Sequence, residues 1–511
     1  MISLFAPENG LHFAEVKELP QLSFFPDLNL DAFTDHMKAL DVSEELIPYF
    51  YYFPKNKEEA DYRQGIVRDL SDRDIREAVN HFITGVSVAE RYYGYSDKVT
   101  SSVQKWKWRL DTIIRFYSAI EQFCVELNDN PPKSEAFRNM HQSLYDLLRT
   151  KEVMEVRGKA QEINAEFEKM RFHVTINKER ATLDFLYSGE DYCSEIRSAF
   201  PHAGEASPEE PVYTESPFGD MNISPLEEFV LSQFIRQDKI LFRNLETFCG
   251  VQRDILNSDV LNLIRELRFY LFNLEYFEKM QGHGFPFTFP EIREDRDICL
   301  IDCFDIVLAA KNYDLKQEVI LNDIVKASGE TAIIVTGPNQ GGKTTLARAF
   351  GQCAYFGMMG FPVSARSARL PFVDRIFSQF ASITGNGVEG RLEHELVGVY
   401  EILNEQTDNS LIIFNELFTS APTMDALTMC RSLLSKLLKK KAICFVVTHT
   451  FELAFDSDQY VSLVATVVED GSYRRTYRIV RKPADGIAYA NSIVGKYKLD
   501  YGHIRDRLTK R

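Results

Sequence analysis

The chain has 511 residues, 45% hydrophobic and 26% charged, with a formal net charge of −16. That composition excludes a fully disordered chain, and at ~100–200 residues per domain it predicts two to four domains. No apolar run approaches the ~18 residues of a membrane-crossing helix, and the opening eight residues lack the basic-then-apolar order of a secretory leader, so neither membrane nor export is expected.

Residues 1–74 mix short apolar runs with Pro7, Pro20, Pro26, Pro48 and Pro54, and read as an N-terminal segment of short helices and loops. Residues 75–296 read as a mostly helical domain. Trp106, Leu110, Ile113, Ile114, Phe116, Tyr117 and Ile120 recur at three-to-four spacing, as on one face of a long helix. Residues 128–132, Asn-Asp-Asn-Pro-Pro, break it, and a second long segment runs from Ser134 to Met170. Over 172–187, Val174 and Ile176, then Leu183 and Phe185, alternate with polar residues around a polar turn, the pattern of a small β-hairpin. Residues 201–225 hold five prolines among acids, serines and glycines and read as an exposed loop. Helical periodicity returns over 225–280.

From residue 297 to 511 the pattern alternates α and β. Short apolar runs at 332–336, 411–414 and 442–448 are rich in β-branched residues, as in a buried, mostly parallel sheet. The eight cysteines are scattered, and only Cys299 and Cys303 are close. No second pair completes a zinc spacing, which predicts reduced thiols in a cytoplasmic protein. Charge is uneven: residues 431–511 carry a net +8 and the remainder −24. An acidic total argues against a polybasic nucleic-acid coat and leaves room for a local basic contact. Lys436, Lys439, Lys440 and Lys441 read as a solvated helix end, and Phe285, Phe287 and Phe289 as packing at a domain joint.

Three strand ends carry the chemistry. The first is Gly337-Pro338-Asn339-Gln340-Gly341-Gly342-Lys343-Thr344, the phosphate-loop pattern Gly-x4-Gly-Lys-[Ser/Thr], followed by Thr345. An apolar strand runs in and a helix runs out. Gly341 and Gly342 let the backbone wrap a phosphate with its N–H groups, and the helix N-terminus adds partial positive charge. Lys343 supplies a point charge, and the Thr344 hydroxyl can ligate Mg2+. The second is the strand 411–414 followed by Asn415 and Glu416. Such a strand usually ends in a metal-holding acid and a residue that polarises the attacking water. Here the metal position is Asn415, a neutral amide that holds a cation less strongly than a carboxylate. Glu416 is the candidate general base. The third is the strand 442–448 with His449 just past it, at the sheet edge where ligands of open α/β sheets bind.

On these residues the stretch from 317 to 500 resembles the ATPase domain of the MutS family of DNA mismatch-repair proteins, a branch of the ABC-type ATPases. Gly337-Pro338-Asn339 is that family's form of the loop. Residues 364–377, Asn415-Glu416 with Asp425 beyond, and Thr448-His449 match its later motifs, and Leu321-Asn322-Asp323 resembles the segment flanking the adenine. The resemblance implies an α/β C-terminal P-loop (ABC-type) ATPase domain with a mostly α-helical N-terminal core/lever domain. It implies ATP and Mg2+ as cofactors, a homodimer that ATP closes head to tail, and DNA, double-stranded or branched, held by the helical arms. The 172–187 hairpin lies where the family inserts its DNA clamp.

The chain departs from the family in places. The span before residue 60 is too short for the mismatch-recognition and connector domains, so a reduced form that does not read mismatches is expected. Phe13-Ala14-Glu15 has the spacing of the mismatch wedge with no such domain around it. The family's Ser-Thr-Phe run falls on Gly390-Arg391-Leu392, with Glu395 kept; Gly390 offers only its N–H where the serine touches the γ-phosphate of the other copy. The reading is therefore a MutS-like ATPase with Lys343, Glu416 and His449 in catalysis. The alternative is an ATP-binding dimerisation switch or scaffold, weak in hydrolysis, that recruits a protein partner. An SMC-type ATPase would need a sustained heptad coiled coil and a Ser-Gly-Gly signature.

Overall fold

A computed structural model describes residues 3–7, 12–40, 43–170, 172–177, 180–185, 225–252, 255–380, 388–468, 475–484, 494, 497, 499 and 501–509. The expected loop at 201–224, Cys193 and the turn of the hairpin fall outside these residues.

The N-terminal segment forms α1 (Phe13–Lys17), α2 (Leu30–Ala39) and a 3-10 turn (Glu44–Tyr51). The helical region follows as α3 (Lys57–Leu70), α4 (Arg73–Lys98), α5 (Ser102–Asp129), α6 (Glu135–Arg149) and α7 (Lys151–Lys169). The side chains of Asn56, Asp72, Ser101, Ser134 and Thr150 each accept a first-turn N–H and start these five helices. The long segment expected from Ser134 to Met170 is thus two helices. The break at Thr150 has no proline or glycine; the threonine adopts an extended backbone and caps α7. α4 and α5 pack closely because Gly85 faces Ala119, and Phe82 stacks on Phe123 at 4.4 Å.

Strands β1 (Phe172–Asn177) and β2 (Arg180–Phe185) pair antiparallel. Three helices complete the region: α8 (Pro225–Gln237), α9 (Lys239–Val251) and α10 (Ser258–Gly282). Then come β3 (Glu291–Arg293), β4 (Ile298–Cys303), α11 (Ile306–Asp314), β5 (Asn322–Lys326), β6 (Ala332–Thr336), α12 (Lys343–Met358), β7 (Ser367–Pro371), β8 (Arg375–Phe380), α13 (Val388–Glu405), β9 (Ser410–Asn415), α14 (Thr423–Leu437), β10 (Ile443–Val447), β11 (Tyr460–Val467), β12 (Arg475–Arg481) and α15 (Tyr501–Thr509). No described helix is long and apolar enough to cross a membrane.

The main sheet has the order β12-β11-β6-β10-β9-β8, parallel except for β12. A smaller sheet, β3-β7-β4-β5, lies beside it. β6, β9 and β10 are buried at every position, which is why they read as continuous apolar runs. Alternate residues serve two cores. Ile333, Val335, Ile413 and Phe445 join the larger one with α12, whereas Ala332, Ile334, Ile412 and Val446 join a second with α13 and α14.

The larger core is continuous from Leu4 to Ile479 and includes much of the N-terminal segment. Phe24 and Phe25 pack edge-on to Tyr355 of α12, and Phe33 packs on Phe356. The Gln352 amide, fully buried, donates to Leu28 O at 2.9 Å and to Asp305 Oδ1 at 3.0 Å, and accepts from Ile306 N at 2.9 Å. A satisfied buried amide of this kind ties three segments together. Phe285 and Phe287 pack on Phe304, and the Arg68 guanidinium covers Phe289.

α12 ends in a glycine cap. Gly360 (φ +90) donates to Gly357 O, and Phe361 donates to Phe356 O at 2.9 Å. A Cβ on Gly360 would lie 2.6 Å from the Arg63 carbonyl carbon and 2.7 Å from Gln64 N, so α12 abuts the backbone of α3 here. We predict that Gly360→Ala lowers unfolding stability by about 2–4 kcal/mol in denaturant titrations, from overpacking and left-handed strain together. Gly94→Ala, inside α4 with no atom within 4 Å of the new carbon, should instead gain about 0.5–1 kcal/mol.

Candidate functional site

Parallel register brings the three chemical strand ends to one edge. Val447 stands opposite Asn415 on one side and Val335 on the other. The loop after β6, the Asn415-Glu416 turn after β9 and Thr448-His449 after β10 therefore leave the sheet side by side.

The loop 337–342 turns through left-handed backbone at Gly337 (φ +123), Gln340 (φ +59) and Gly342 (φ +94). A Cβ on Gly337 would meet Ala465 of β11 at 2.9 Å, so this glycine is needed for close approach as well as for its φ. Gly342 is the residue before α12. The first-turn N–H groups of that helix, from Lys343 onward, have no acceptor within the helix. The Lys343 side chain folds back over the loop. Its Nζ donates to Gly337 O at 3.0 Å and Pro338 O at 3.2 Å, and lies 3.9 Å from Glu416 Oε1. Lys343 is 4% exposed, and burial lowers its pKa against a smaller opposing pull from Glu416.

The Thr344 hydroxyl lies 3.1 Å from Asn415 Oδ1. Two neutral hard oxygens thus sit together at the helix start, a donor pair suited to Mg2+ or to one of its waters. Among the described residues no group of three His, Cys, Asp or Glu side chains could hold a metal alone, so a cation here would depend on phosphate oxygens. Glu416 takes left-handed backbone (φ +59), pinned by its N–H to Val447 O at 2.9 Å. His449 Nε2 lies 2.7 Å from Glu416 Oε1. This hydrogen bond, with the charges of His449 and Lys343 behind it, holds the Glu416 carboxyl below its ordinary range despite burial.

Lys343, Thr344 and Glu416 open on a cavity of about 540 Å³, while Asn415 and His449 stand behind Thr344 and Glu416, outside its lining. Gln340, Gly342, Lys343, Thr344, Thr345 and Glu416 line its polar end. Phe304, Leu308, Val319, Ile320 and Tyr477 line the rest together with the polar Asp305, Asn312, Gln317 and Glu318. A polar end at the helix start and a mixed wall carrying Phe304, Ile320 and Tyr477 fit a phosphorylated ligand with a planar ring. Pro338 is buried and Asn339 points outward, apart from the cavity lining. Asn322 lines the cavity, but its amide is engaged with β12: Oδ1 accepts from Ile479 N at 2.7 Å and Nδ2 donates to Tyr477 O at 3.1 Å. Its observed work is to hold β12, and hence Tyr477 (φ +56), against the cavity.

Sequence reasoning missed Tyr477, Phe304, Leu308 and Ile320 as lining residues, and Arg475, which donates to Gln340 Oε1 at 2.8 Å. β12 is a charged strand at the sheet's edge, and α11 is a short helix. Neither carries a motif that would have marked them.

Gly390 is exposed in the first turn of α13, with nothing within 4 Å of a Cβ placed on it. The Arg391 side chain and residues 381–387 lie outside the described structure. Glu395 is buried and accepts from Phe418 N at 2.7 Å, joining α13 to the turn that follows Glu416.

Residues 333–494 match the family model of MutS domain V. Endonuclease MutS2 of Streptococcus uberis (strain ATCC BAA-854 / 0140J) is 26% identical over 205 residues, 38% of this chain and 24% of that protein. DNA mismatch repair protein MutS of Streptococcus thermophilus (strain ATCC BAA-491 / LMD-9) is 32% identical over 178 residues, 33% of this chain and 20% of that protein. The MutS of Petrotoga mobilis (strain DSM 10674 / SJ95) is 28% identical over 180 residues, 35% of this chain and 21% of that protein. The chain thus spans about a fifth to a quarter of the length of the curated relatives it matches. The glycine loop, the Asn415-Glu416 turn and the His449 turn all fall inside the region that matches MutS domain V, and it is in this C-terminal part that the chain is similar to the MutS and MutS2 proteins.

Proposed function

We propose that this chain is a MutS-type ATPase whose P-loop, Gly337–Thr344, binds the triphosphate of ATP, and whose nucleotide cycle closes two copies on each other and moves the helical arms on DNA. The observation that carries the reading is that Lys343, Thr344 and Glu416 line one cavity, with Asn415 held against Thr344 and His449 against Glu416. In this reading the organisation is an N-terminal segment (1–74), a helical core/lever (75–296) and the ATPase domain (297–511), ABC-type in its strand-end motifs. DNA association is supported by the similar proteins, a DNA mismatch repair protein and an endonuclease.

The chain's own groups suit the reaction. The glycine loop and the first N–H groups of α12 face the β- and γ-phosphate oxygens, and Lys343 neutralises them. Thr344 and Asn415 would hold Mg2+, which when bound screens phosphate charge and orients the γ-phosphoryl group. Glu416, kept ionised by His449, accepts a hydrogen bond from the attacking water and orients it in line. His449 fixes the Glu416 carboxylate. Phe304, Leu308, Ile320 and Tyr477 cover the base. The N–H of Gly390 serves the second copy's γ-phosphate.

The second reading keeps ATP binding and dimer closure but makes hydrolysis slow, so that the closed dimer recruits a protein partner. The neutral Asn415 and the bare Gly390 favour it. Either reading implies a nucleotide-dependent homodimer, acting in the cytoplasm.

Three outcomes test these assignments. Lys343→Ala should abolish ATP binding measured by calorimetry. Glu416→Gln should bind ATP as wild type does but release phosphate about 10²–10⁴-fold more slowly, the contribution of a positioned base. If both variants turn over like wild type, the roles are wrong. Asn415→Asp should shift the Mg2+ dependence of nucleotide binding to lower concentration, by about tenfold, because a unit charge is added at the metal position. Glu416 also predicts a pH effect. Its folded-state pKa is depressed, so it adds stability above its unfolded pKa near 4.5 that is lost as pH falls through the folded value. Urea midpoints from pH 7 to pH 3 should therefore fall more steeply for wild type than for Glu416→Gln.

A further inference from the structure

The N-terminal segment precedes the region that matches the family, yet it touches the nucleotide helix and the strand beside it at one point. The chain reverses at residues 24–30 against the side of α12. Gly351 makes the approach possible: a Cβ there would fall 2.6 Å from both Leu28 methyl carbons and 2.9 Å from Ile413 Cδ1. Arg348, four residues beyond Thr344, donates from Nε to the Asp27 main-chain oxygen at 2.9 Å. The Asp27 side chain points the other way. Its Oδ2 accepts from the Ser378 hydroxyl of β8 at 2.7 Å, and the carboxyl also takes the N–H of Phe380, the last residue of β8. The Arg348 guanidinium lies over the Phe380 ring, 5.8 Å from its centre. A half-buried carboxyl with a hydroxyl, a main-chain N–H and a neighbouring guanidinium is a built junction.

What Asp27 joins matters. Its main chain holds the helix that begins at Lys343. Its side chain holds the end of β8, where Phe380 pairs with Asn415 and the Gln379 amide donates to Glu395 O of α13 at 3.0 Å. We infer that Asp27 is a positioning residue for nucleotide turnover, fixing the end of β8, and through the Gln379 contact the helix α13, relative to the helix that grips the phosphates. The inference rests on the reading of the cavity as the ATP site. It assigns the N-terminal segment a role that no family motif carries.

The substitution Asp27→Ala separates the two halves of the junction, because the main-chain oxygen that holds Arg348 remains while the link to β8 is cut. Asp27→Asn keeps an acceptor oxygen for Ser378 and Phe380. On the full-length protein, amide hydrogen exchange without nucleotide should show the Phe380 N–H and the first turn of α13 exchanging at least about tenfold faster in Asp27→Ala, with Asp27→Asn close to wild type. With ATP, Asp27→Ala should keep the nucleotide Kd within about threefold while kcat and ATP-induced dimer formation fall about tenfold or more; a ten-fold loss corresponds to ~1.4 kcal/mol of transition-state stabilisation. Asp27→Asn should restore both. Unchanged exchange at Phe380, an equal loss of Kd and kcat, or failure of Asn to rescue would each overturn the inference. A wild-type protein that ignores ATP would sink the ATPase reading instead. The exchange comparison would then decide by itself whether Asp27 pins β8.

Discussion

An ammonium group taken out of water and held by neutral oxygens is the constraint on which the site turns. Lys343 is almost wholly buried, its Nζ on two carbonyls of its own loop and its nearest carboxylate at the edge of ion-pair range. Burial disfavours its charge, and the lowered pKa is the signature of that cost. The first N–H groups of α12 beside it also lack helical acceptors. On the proposed reading one thing would settle both, an anion in the loop, and the geometry that buries the ammonium is the geometry that would favour phosphate.

Such a loop is useful only if the groups that act on the phosphate stay in place. Two features secure this. The parallel register of β6, β10 and β9 sets Val335, Val447 and Asn415 level, and main-chain bonds from Glu416 N to Val447 O and from Thr448 N to Val335 O continue the alignment beyond the strands. The other is the packing of α12 on both sides. One side meets the sheet through Phe350 and Phe445, whose rings stack at 5.0 Å. The other meets the N-terminal segment through Tyr355, Gln352 and Arg348. A helix that carries the key lysine at its first position therefore has its far side covered by residues more than 300 positions away in sequence.

Much of the site was readable because its chemistry is local. The loop from Gly337 to Thr344, the Asn415-Glu416 pair and His449 are contiguous motifs. The three strands that carry them are buried on both faces, so they appear as unbroken apolar runs. The long helices were readable from Leu110, Ile113, Phe116 and Ile120, all buried in α5. What escaped was set by tertiary contact. Thr150 breaks a helix by capping the next one, with no breaker residue to announce it. β12 is recognisable as a strand only through its pairing with β11, and Tyr477 reaches the cavity only because Asn322 fastens that strand. The fusion of residues 24–53 with α12 had no sequence signal. Its aromatic residues look the same whether they pack together or on a partner element.

Asn415 then bears on how the site spends bound nucleotide. Its amide oxygen is within hydrogen-bonding distance of the Thr344 hydroxyl. A carboxylate at that position would add a unit charge close to the cation, an interaction of about 4 kcal/mol at 4 Å and an effective dielectric of 20. The amide forgoes that term while preserving the contact. Lys343, the glycine loop and the rest of the cavity wall are untouched by the exchange, so on the proposed reading the elements that would bind nucleotide remain whole. The exchange falls on the element that would steady a metal during phosphoryl transfer, and Gly390 removes a side chain from the element that would serve the second copy. On the proposed reading both changes act in one direction. They lengthen the interval between closing on ATP and releasing phosphate, which is the interval in which a closed dimer can hold DNA or a partner.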